Sequence, residues 1–192
     1  IIKILRKKNN SFNLVGICRK KRGKDYKNKF FFSNIKKMIK KCKPKVIFLI
    51  STPQVNLKML NFFKNKNLPI FLEKPTALNQ KSLLQVNKFI SRNKIVHINY
   101  MDMINPLNNE ILYRLNGKKP IKFLGNLSSS KKNRKSHSPL WDYAPHFLAL
   151  LLNFYRKMPR SVKANIIKIT NENKKLFKIK LDFGRQYQES SI

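Results

Sequence analysis

Glu73 and Lys74 are an acid–base pair placed where a predicted strand ends. They follow the apolar run 68–72 and precede Pro75 directly. The 192-residue chain has only eight acidic residues, so an acid beside a lysine at this point suggests a chemical role for the pair. The simpler interpretation is that both side chains reach solvent while Pro75, which lacks an N–H donor, ends the strand. These residues alone leave both interpretations open.

Asp142 and His146 form a second candidate pair, four residues apart and directly after Trp141, the only tryptophan. In a helix this spacing places both side chains on one face. Because proline is tolerated in a first turn but not deep inside a helix, Pro145 predicts that the helix begins near Trp141 or Asp142. The alternatives are a core histidine hydrogen-bonded at a helix start and an Asp142 that only caps the helix.

The formal net charge of +35 raises the question of nucleic-acid binding. The 43 basic residues comprise 34 lysines and only nine arginines, scattered along the chain, whereas base-edge recognition relies on arginine. We therefore expect weak, salt-sensitive adhesion to polyanions and no specific nucleic-acid partner. A basic nucleic-acid-binding protein stays as an alternative that rests on charge alone.

The hydrophobic content of 42% is enough for a folded core. No apolar run approaches 18 residues, and the first residues lack the pattern of a signal peptide, so we expect neither membrane association nor secretion. The two cysteines fit no disulfide scaffold or zinc site. These features favour a cytoplasmic protein without a metal ion.

The first half of the sequence alternates predicted strands and helices with short connections. The strands are predicted at 12–18, 46–50, 69–72 and 95–100, and the helices at 33–41, 55–63 and 79–90. This order predicts a doubly wound parallel sheet with right-handed crossovers. Ligands of such sheets bind beyond the carboxyl ends of the strands. That edge carries Arg19, Ser51, Thr52, Pro53, Glu73, Lys74, Pro75 and the residues after Tyr100.

The pattern changes after Pro106. A helix is predicted at 107–115, a strand at 121–127, a polar loop at 128–138 and an apolar helix that ends at Tyr155. Two alternating segments, 162–170 and 176–183, predict antiparallel strands around a turn at 171–173, and 188–192 begins another strand. We therefore expect the architecture to change near residue 101, from a doubly wound parallel sheet to an α/β arrangement with antiparallel strands.

Three motifs, in this order and on these elements, resemble the Gfo/Idh/MocA family of nicotinamide-dependent oxidoreductases. They are the strand and Thr-Pro at 46–53, the Phe-Leu-Glu-Lys-Pro at 71–75 and the Trp-Asp-Tyr-Ala-Pro-His at 141–146. The resemblance implies a partial Rossmann domain at residues 1–101 and a partial α+β domain with a mostly antiparallel sheet at residues 102–192. It also implies an active site between the two.

The resemblance also implies roles for individual residues. Lys74 lies near the nicotinamide and the reacting hydroxyl, His146 is the general acid/base, and Asp142 orients the substrate. Contacts to NAD or NADP fall on Arg19, Ser51, Thr52, Pro53, Glu73, Lys74 and Pro75. Contacts to a sugar, sugar-nucleotide or polyol fall on Lys74, Trp141, Asp142 and His146. A histidine that takes a proton beside a lysine that stabilises an alkoxide suits alcohol oxidation.

The sequence departs from the family pattern at several points. It contains no G-x-G-x-x-G phosphate loop, and Arg19 and Lys20 stand where relatives carry a ribose-binding acid, which leaves NAD and NADP both open. Met103 and Ile104 replace a common Arg-Phe pair. We expect a fragment of a longer reading frame or a decayed copy, so a catalytically inactive relic is the main alternative, and a homo-oligomer is expected for the full-length form.

Overall fold

The computed structural model describes residues 13–20, 31–92, 95–118, 139–169, 175–184 and 190–191. The strands are β1 (Ile17–Cys18), β2 (Phe31–Phe32), β3 (Ile47–Leu49), β4 (Ile70–Glu73), β5 (Val96–Asn99), β6 (Ser161–Ile169), β7 (Lys175–Asp182) and β8 (Ser190–Ser191). The helices are α1 (Ile35–Cys42), α2 (Pro53–Phe63), α3 (Gln80–Arg92), a 3₁₀-helix (Met101–Ile104), α4 (Pro106–Leu115) and α5 (Pro139–Tyr155).

A parallel sheet in the order β3-β4-β5 forms the centre of the first half. The apolar strands pair in register, with Leu49 beside Leu72 and Leu72 beside Ile98. Leu72 is completely buried, and full burial of a leucine contributes about 1.5–3 kcal/mol. The core of this half is completed by side chains from α2 and α3: Leu60, Phe63, Val86 and Phe89. The predicted parallel, doubly wound arrangement is confirmed for these three strands.

Polar residues before two of these helices determine where the helices begin. The Asn34 side chain accepts hydrogen bonds from the Lys36 and Lys37 amides at 2.8 and 3.2 Å, so Asn34 is the N-cap of α1 and not Ser33 as expected. The predicted start at Asn79 is confirmed for α3, because its side chain accepts from the Ser82 amide at 2.9 Å.

The N-terminal strand differs from its prediction. Of the described residues 13–18, only Ile17 and Cys18 are in a strand, and they pair with Phe31 and Phe32 in a separate two-stranded parallel sheet. The preceding residues lie against α1 instead: a Cβ on Gly16 would lie 2.9 Å from Cγ of Met38. A residue without a side chain is therefore needed at this close approach.

The second half builds an antiparallel sheet in the order β6-β7-β8. Ile179, Leu181 and Phe183 alternate along and just beyond β7 and are buried against α5. The ring of Tyr155, at the end of α5, stacks on Phe183 with centroids 4.1 Å apart. The predicted antiparallel pair is confirmed, as is the start of a third strand. The whole is a mixed α/β fold with one parallel and one antiparallel part.

The start of α5 contradicts its prediction. The helix begins at Pro139 and contains Pro145 in its interior, where a proline removes one backbone hydrogen bond. The 3₁₀-helix at Met101–Ile104 is absent from the sequence-based expectations. The predicted strand at 121–127, loop at 128–138 and turn at 171–173 lie outside the described residues. Within the described ranges, no helix has the length and apolarity needed to cross a membrane.

Candidate active site

Lys74 connects the parallel sheet to α5. It follows Glu73, the last residue of β4, and its Nζ donates a hydrogen bond of 2.6 Å to the main-chain carbonyl of Asp142. The same Nζ lies 3.8 Å from Oδ1 of Asp142, and the two side chains are only 18% and 15% exposed. A hydrogen bond from a charged donor in so enclosed a position is stronger than a neutral one. This contact fixes the lysine head group at the carboxyl edge of the sheet.

Pro145 lies in the same helix, three residues after Asp142. Because Pro145 has no N–H, the carbonyl of Trp141 lacks its usual donor within the helix. The Asp142 carbonyl, which Lys74 binds, is the next one along the chain. Pro145 thus leaves a carbonyl without its helical hydrogen bond directly beside the one that Lys74 binds.

His146 lies one turn further along α5, on the face that Asp142 shares through the four-residue spacing. Its Nδ1 is 3.0 Å from Oδ2 of Asp102, with side chains 17% and 41% exposed. Nδ1 is buried and the contact falls short of hydrogen-bond alignment. Such alignment commonly tightens only when a substrate binds. His146 is therefore not an isolated core histidine but the partner of an acid on another element.

The 3₁₀-helix positions Asp102. It begins after Tyr100, whose carbonyl accepts from the Met103 amide at 3.0 Å. The carbonyl of Asp102 itself accepts a 2.5 Å hydrogen bond from the Asn108 side chain of α4. The backbone of Asp102 is thus held from the helix that follows. Burial raises the pKa of the neighbouring Tyr100 phenol.

Glu73 and Asn99 end two neighbouring strands of the same sheet. They are paired in register on β4 and β5, and Nδ2 of Asn99 donates to Oε1 of Glu73 at 2.6 Å. A carboxylate that accepts from an amide keeps its charge satisfied while half-buried. This bond holds the sheet edge that carries Lys74.

The turn between β3 and α2 offers unsatisfied polar groups at the same edge. Ser51 and Thr52 are exposed, and Thr52 is an N-cap whose side chain makes no capping hydrogen bond. Asn56 is 1% exposed; its Nδ2 donates to the Ser51 carbonyl at 3.2 Å, while its Oδ1 is buried without a hydrogen-bond partner among the described residues. A helix N-terminus beside a buried, unpartnered acceptor fits a polar ligand.

The structure therefore brings together three of the predicted site residues: Lys74, Asp142 and His146. Asp102, which sequence reasoning missed, joins them. The sequence feature that could have indicated Asp102 is the scarcity of acids, because Asp102 is one of only eight acidic residues. Pro75 is buried directly behind Lys74.

Two further predicted site residues are Arg19 and Trp141. Arg19 lies at the end of β1, in the separate two-stranded sheet, and its amide donates to the Phe32 carbonyl at 3.1 Å. Trp141 is 39% exposed in the first turn of α5. The roles predicted for both stay predictions.

No protein-family model and no curated protein matches the sequence. Solved structures match closely in fold. Myo-inositol 2-dehydrogenase from Lactobacillus plantarum aligns with a TM-score of 0.78 at 17% identity, over 98% of this chain and 63% of its own. An oxidoreductase from Bacillus cereus aligns with a TM-score of 0.72 at 10% identity, over 96% of this chain and 57% of its own.

The chain spans less than two thirds of the length of each of these structures. At such low identities the likeness concerns the fold alone. The alignment nevertheless includes both the parallel and the antiparallel parts, since nearly all of this chain is covered. The chain therefore shares the fold of this dehydrogenase and this oxidoreductase over almost its whole length.

Proposed function

We propose that the protein is an NAD(P)-dependent oxidoreductase of the Gfo/Idh/MocA type that acts on a hydroxyl of a sugar, sugar-nucleotide or polyol. One observation carries the proposal: Lys74, at the carboxyl edge of the parallel sheet, binds the backbone of Asp142, and His146, four residues further along the same helix, contacts Asp102 from the segment after β5. The fold shared with a myo-inositol 2-dehydrogenase supports the substrate class.

The cofactor would lie against the turn between β3 and α2. Ser51, Thr52 and Pro53 line the N-terminus of α2, and the unpartnered Oδ1 of Asn56 suits a hydroxyl or amide N–H of the ligand. When bound, a nicotinamide dinucleotide supplies the group that accepts or donates the hydride. Glu73, Lys74, Pro75 and Arg19 are the further residues proposed to contact it.

Residues of this chain transfer the proton and stabilise the charge that develops on the substrate oxygen. In the oxidation direction, His146 takes the proton of the substrate hydroxyl as the carbonyl forms. The Lys74 ammonium has three N–H donors, of which the Asp142 carbonyl takes one. The remaining donors stabilise negative charge on the substrate oxygen. In the reduction direction, His146 returns the proton.

The carboxylate of Asp142 is proposed to accept hydrogen bonds from hydroxyls beside the reacting one. A site that combines a carboxylate, an ammonium and an imidazole favours a ligand with several hydroxyls over an apolar alcohol, because buried polar groups require partners. Trp141, half-exposed at the start of the same helix, offers an apolar face to a sugar ring.

The proposal is tested by binding and turnover in the expressed chain. NADH and NADPH are titrated by fluorescence, and NAD(P)H formation is followed with myo-inositol, other polyols and sugars. Lys74→Met is compared with Lys81→Met, which removes an exposed lysine of α3. We expect Lys74→Met to lose on the order of 10²–10³-fold in turnover. Equal turnover in the two variants contradicts the role of Lys74.

A further inference from the structure

We propose that Asp102 is a positioning residue that holds the neutral His146 ring in the form with its proton on Nδ1. Nε2 is then left with the lone pair that receives the substrate proton. This inference rests on the proposed function, which makes His146 the base. It adds a residue that neither the motifs nor the spacing of the sequence indicate.

The chemistry of the contact determines which nitrogen carries the proton. Oδ2 of Asp102 lies 3.0 Å from Nδ1 of His146. A carboxylate is only an acceptor, so a ring nitrogen at this distance is attracted to it when that nitrogen bears a proton and repelled when it presents a lone pair. A neutral imidazole has one N–H, so its other nitrogen, Nε2, is the basic one.

Asp142 is the partner that the sequence spacing indicates, but it has a different role. It lies four residues before His146, and its carbonyl is engaged by Lys74. A carboxylate that lies within ion-pair distance of His146 is that of Asp102, from the 3₁₀-helix after β5. Asp142 contacts Lys74, and Asp102 contacts His146.

We expect the contact between Asp102 and His146 to contribute little to the stability of the fold. Its side chain is 41% exposed, and an ion pair so open to water contributes little to folding. Its backbone is held independently by the Asn108 side chain, which any substitution of the Asp102 side chain leaves in place. Removal of the carboxylate should therefore change the histidine ring more than the stability of the fold.

The test reads the proton directly by nitrogen NMR of the imidazole rings, in the chain labelled at histidine and at a pH where the rings are neutral. His146→Ala assigns the signal of His146, and the exposed His97 of β5 serves as an internal reference. In the wild-type chain we expect the proton on Nδ1. In Asp102→Ala we expect the proton to move to Nε2, and in Asp102→Glu to return to Nδ1.

Two results would overturn the inference. The first is a wild-type His146 ring with its proton on Nε2, a result that does not depend on whether an Asp102 variant folds. The second is an unchanged ring in an Asp102→Ala variant whose His97 signal is native.

The turnover assay adds a second readout. Asp102→Ala should lower kcat by on the order of 10- to 100-fold with little change in KM, and Asp102→Glu should recover most of it. If no polyol or sugar is turned over by any form, the proposed function fails while the NMR result still decides the position of the proton. If turnover is found and Asp102→Ala retains it, only the positioning role fails.

Discussion

Nζ of Lys74 is hydrogen-bonded to the main-chain carbonyl of Asp142 at 2.6 Å, and not primarily to the Asp142 carboxylate, which is 3.8 Å away. The bond crosses from the end of β4 to the first turns of α5. Because its acceptor belongs to the backbone, the bond does not depend on the identity of the side chain at position 142. The lysine and the aspartate side chains can therefore be tested separately.

Substitution of Lys74 should destabilise the fold more than substitution of Asp142. Lys74→Met removes the donor of a charge-assisted hydrogen bond in an enclosed position, which costs about 1.5–3 kcal/mol of unfolding free energy. Asp142→Asn keeps the carbonyl acceptor, and we expect less than half of that loss. Urea unfolding monitored by circular dichroism measures both. An Asp142→Asn variant that loses as much as Lys74→Met contradicts the main-chain bond as the dominant contact.

Pro145 and Lys74 should be energetically coupled. Pro145→Ala restores an N–H that binds the Trp141 carbonyl and straightens the helix near Asp142, so the lysine bond becomes less favourable. We expect Lys74→Met to cost less in the Pro145→Ala background, with a coupling energy of about 0.5–1.5 kcal/mol in a double-mutant cycle. Strict additivity of the two substitutions would show that the proline has no part in exposing the carbonyl.

The Glu73–Asn99 bond should hold the edge of the sheet. Asn99→Ala leaves a half-buried carboxylate without its donor, with an expected cost of about 1–2 kcal/mol. Asn99→Asp places a like charge beside it and should cost more, and the difference should shrink at high salt. The measurement is the unfolding midpoint of each variant at low and at high salt. A harmless Asn99→Asp would mean that the 2.6 Å contact does not persist in solution.

Tyr100 provides a prediction about pH. Burial disfavours its phenolate, so its pKa is raised above the ordinary value of 10.0. Its contribution to stability is therefore complete below that value and is lost as the pH rises through the higher, folded-state pKa. The difference in near-ultraviolet absorbance between the wild type and Tyr100→Phe isolates this titration. A titration midpoint at or below the ordinary pKa of 10.0 would contradict burial of the Tyr100 phenol.

Local patterns in the sequence were enough to predict most of the sheet. The continuous apolar run around Phe48 and the alternation along β7 each specify a strand and its burial. The strand at Ile17 and Cys18 was predicted too long, because its preceding residues pack on Met38 instead of pairing. Such a choice depends on contacts between distant residues, which a local pattern does not contain.

Only part of the candidate site could be predicted, because local patterns do not contain the contacts between residues that are distant in the sequence. Lys74 and His146 stand in motifs that can be recognised from residue types and spacing. Asp102 is an isolated acid in a short 3₁₀-helix, and only the fold brings it to 3.0 Å from His146. The prediction for the start of α5 was wrong because it treated Pro145 as confined to the first turn, whereas the helix includes this proline at the cost of one backbone hydrogen bond.

We propose that His146 accepts the proton of a substrate hydroxyl. The most direct measurement is NAD(P)H formation from myo-inositol and related polyols and sugars by the wild type, His146→Ala and the control His97→Ala. We predict turnover by the wild type and the control, and a loss on the order of 10²–10⁴-fold in His146→Ala with cofactor binding retained. Turnover by His146→Ala equal to that of His97→Ala would contradict the claim.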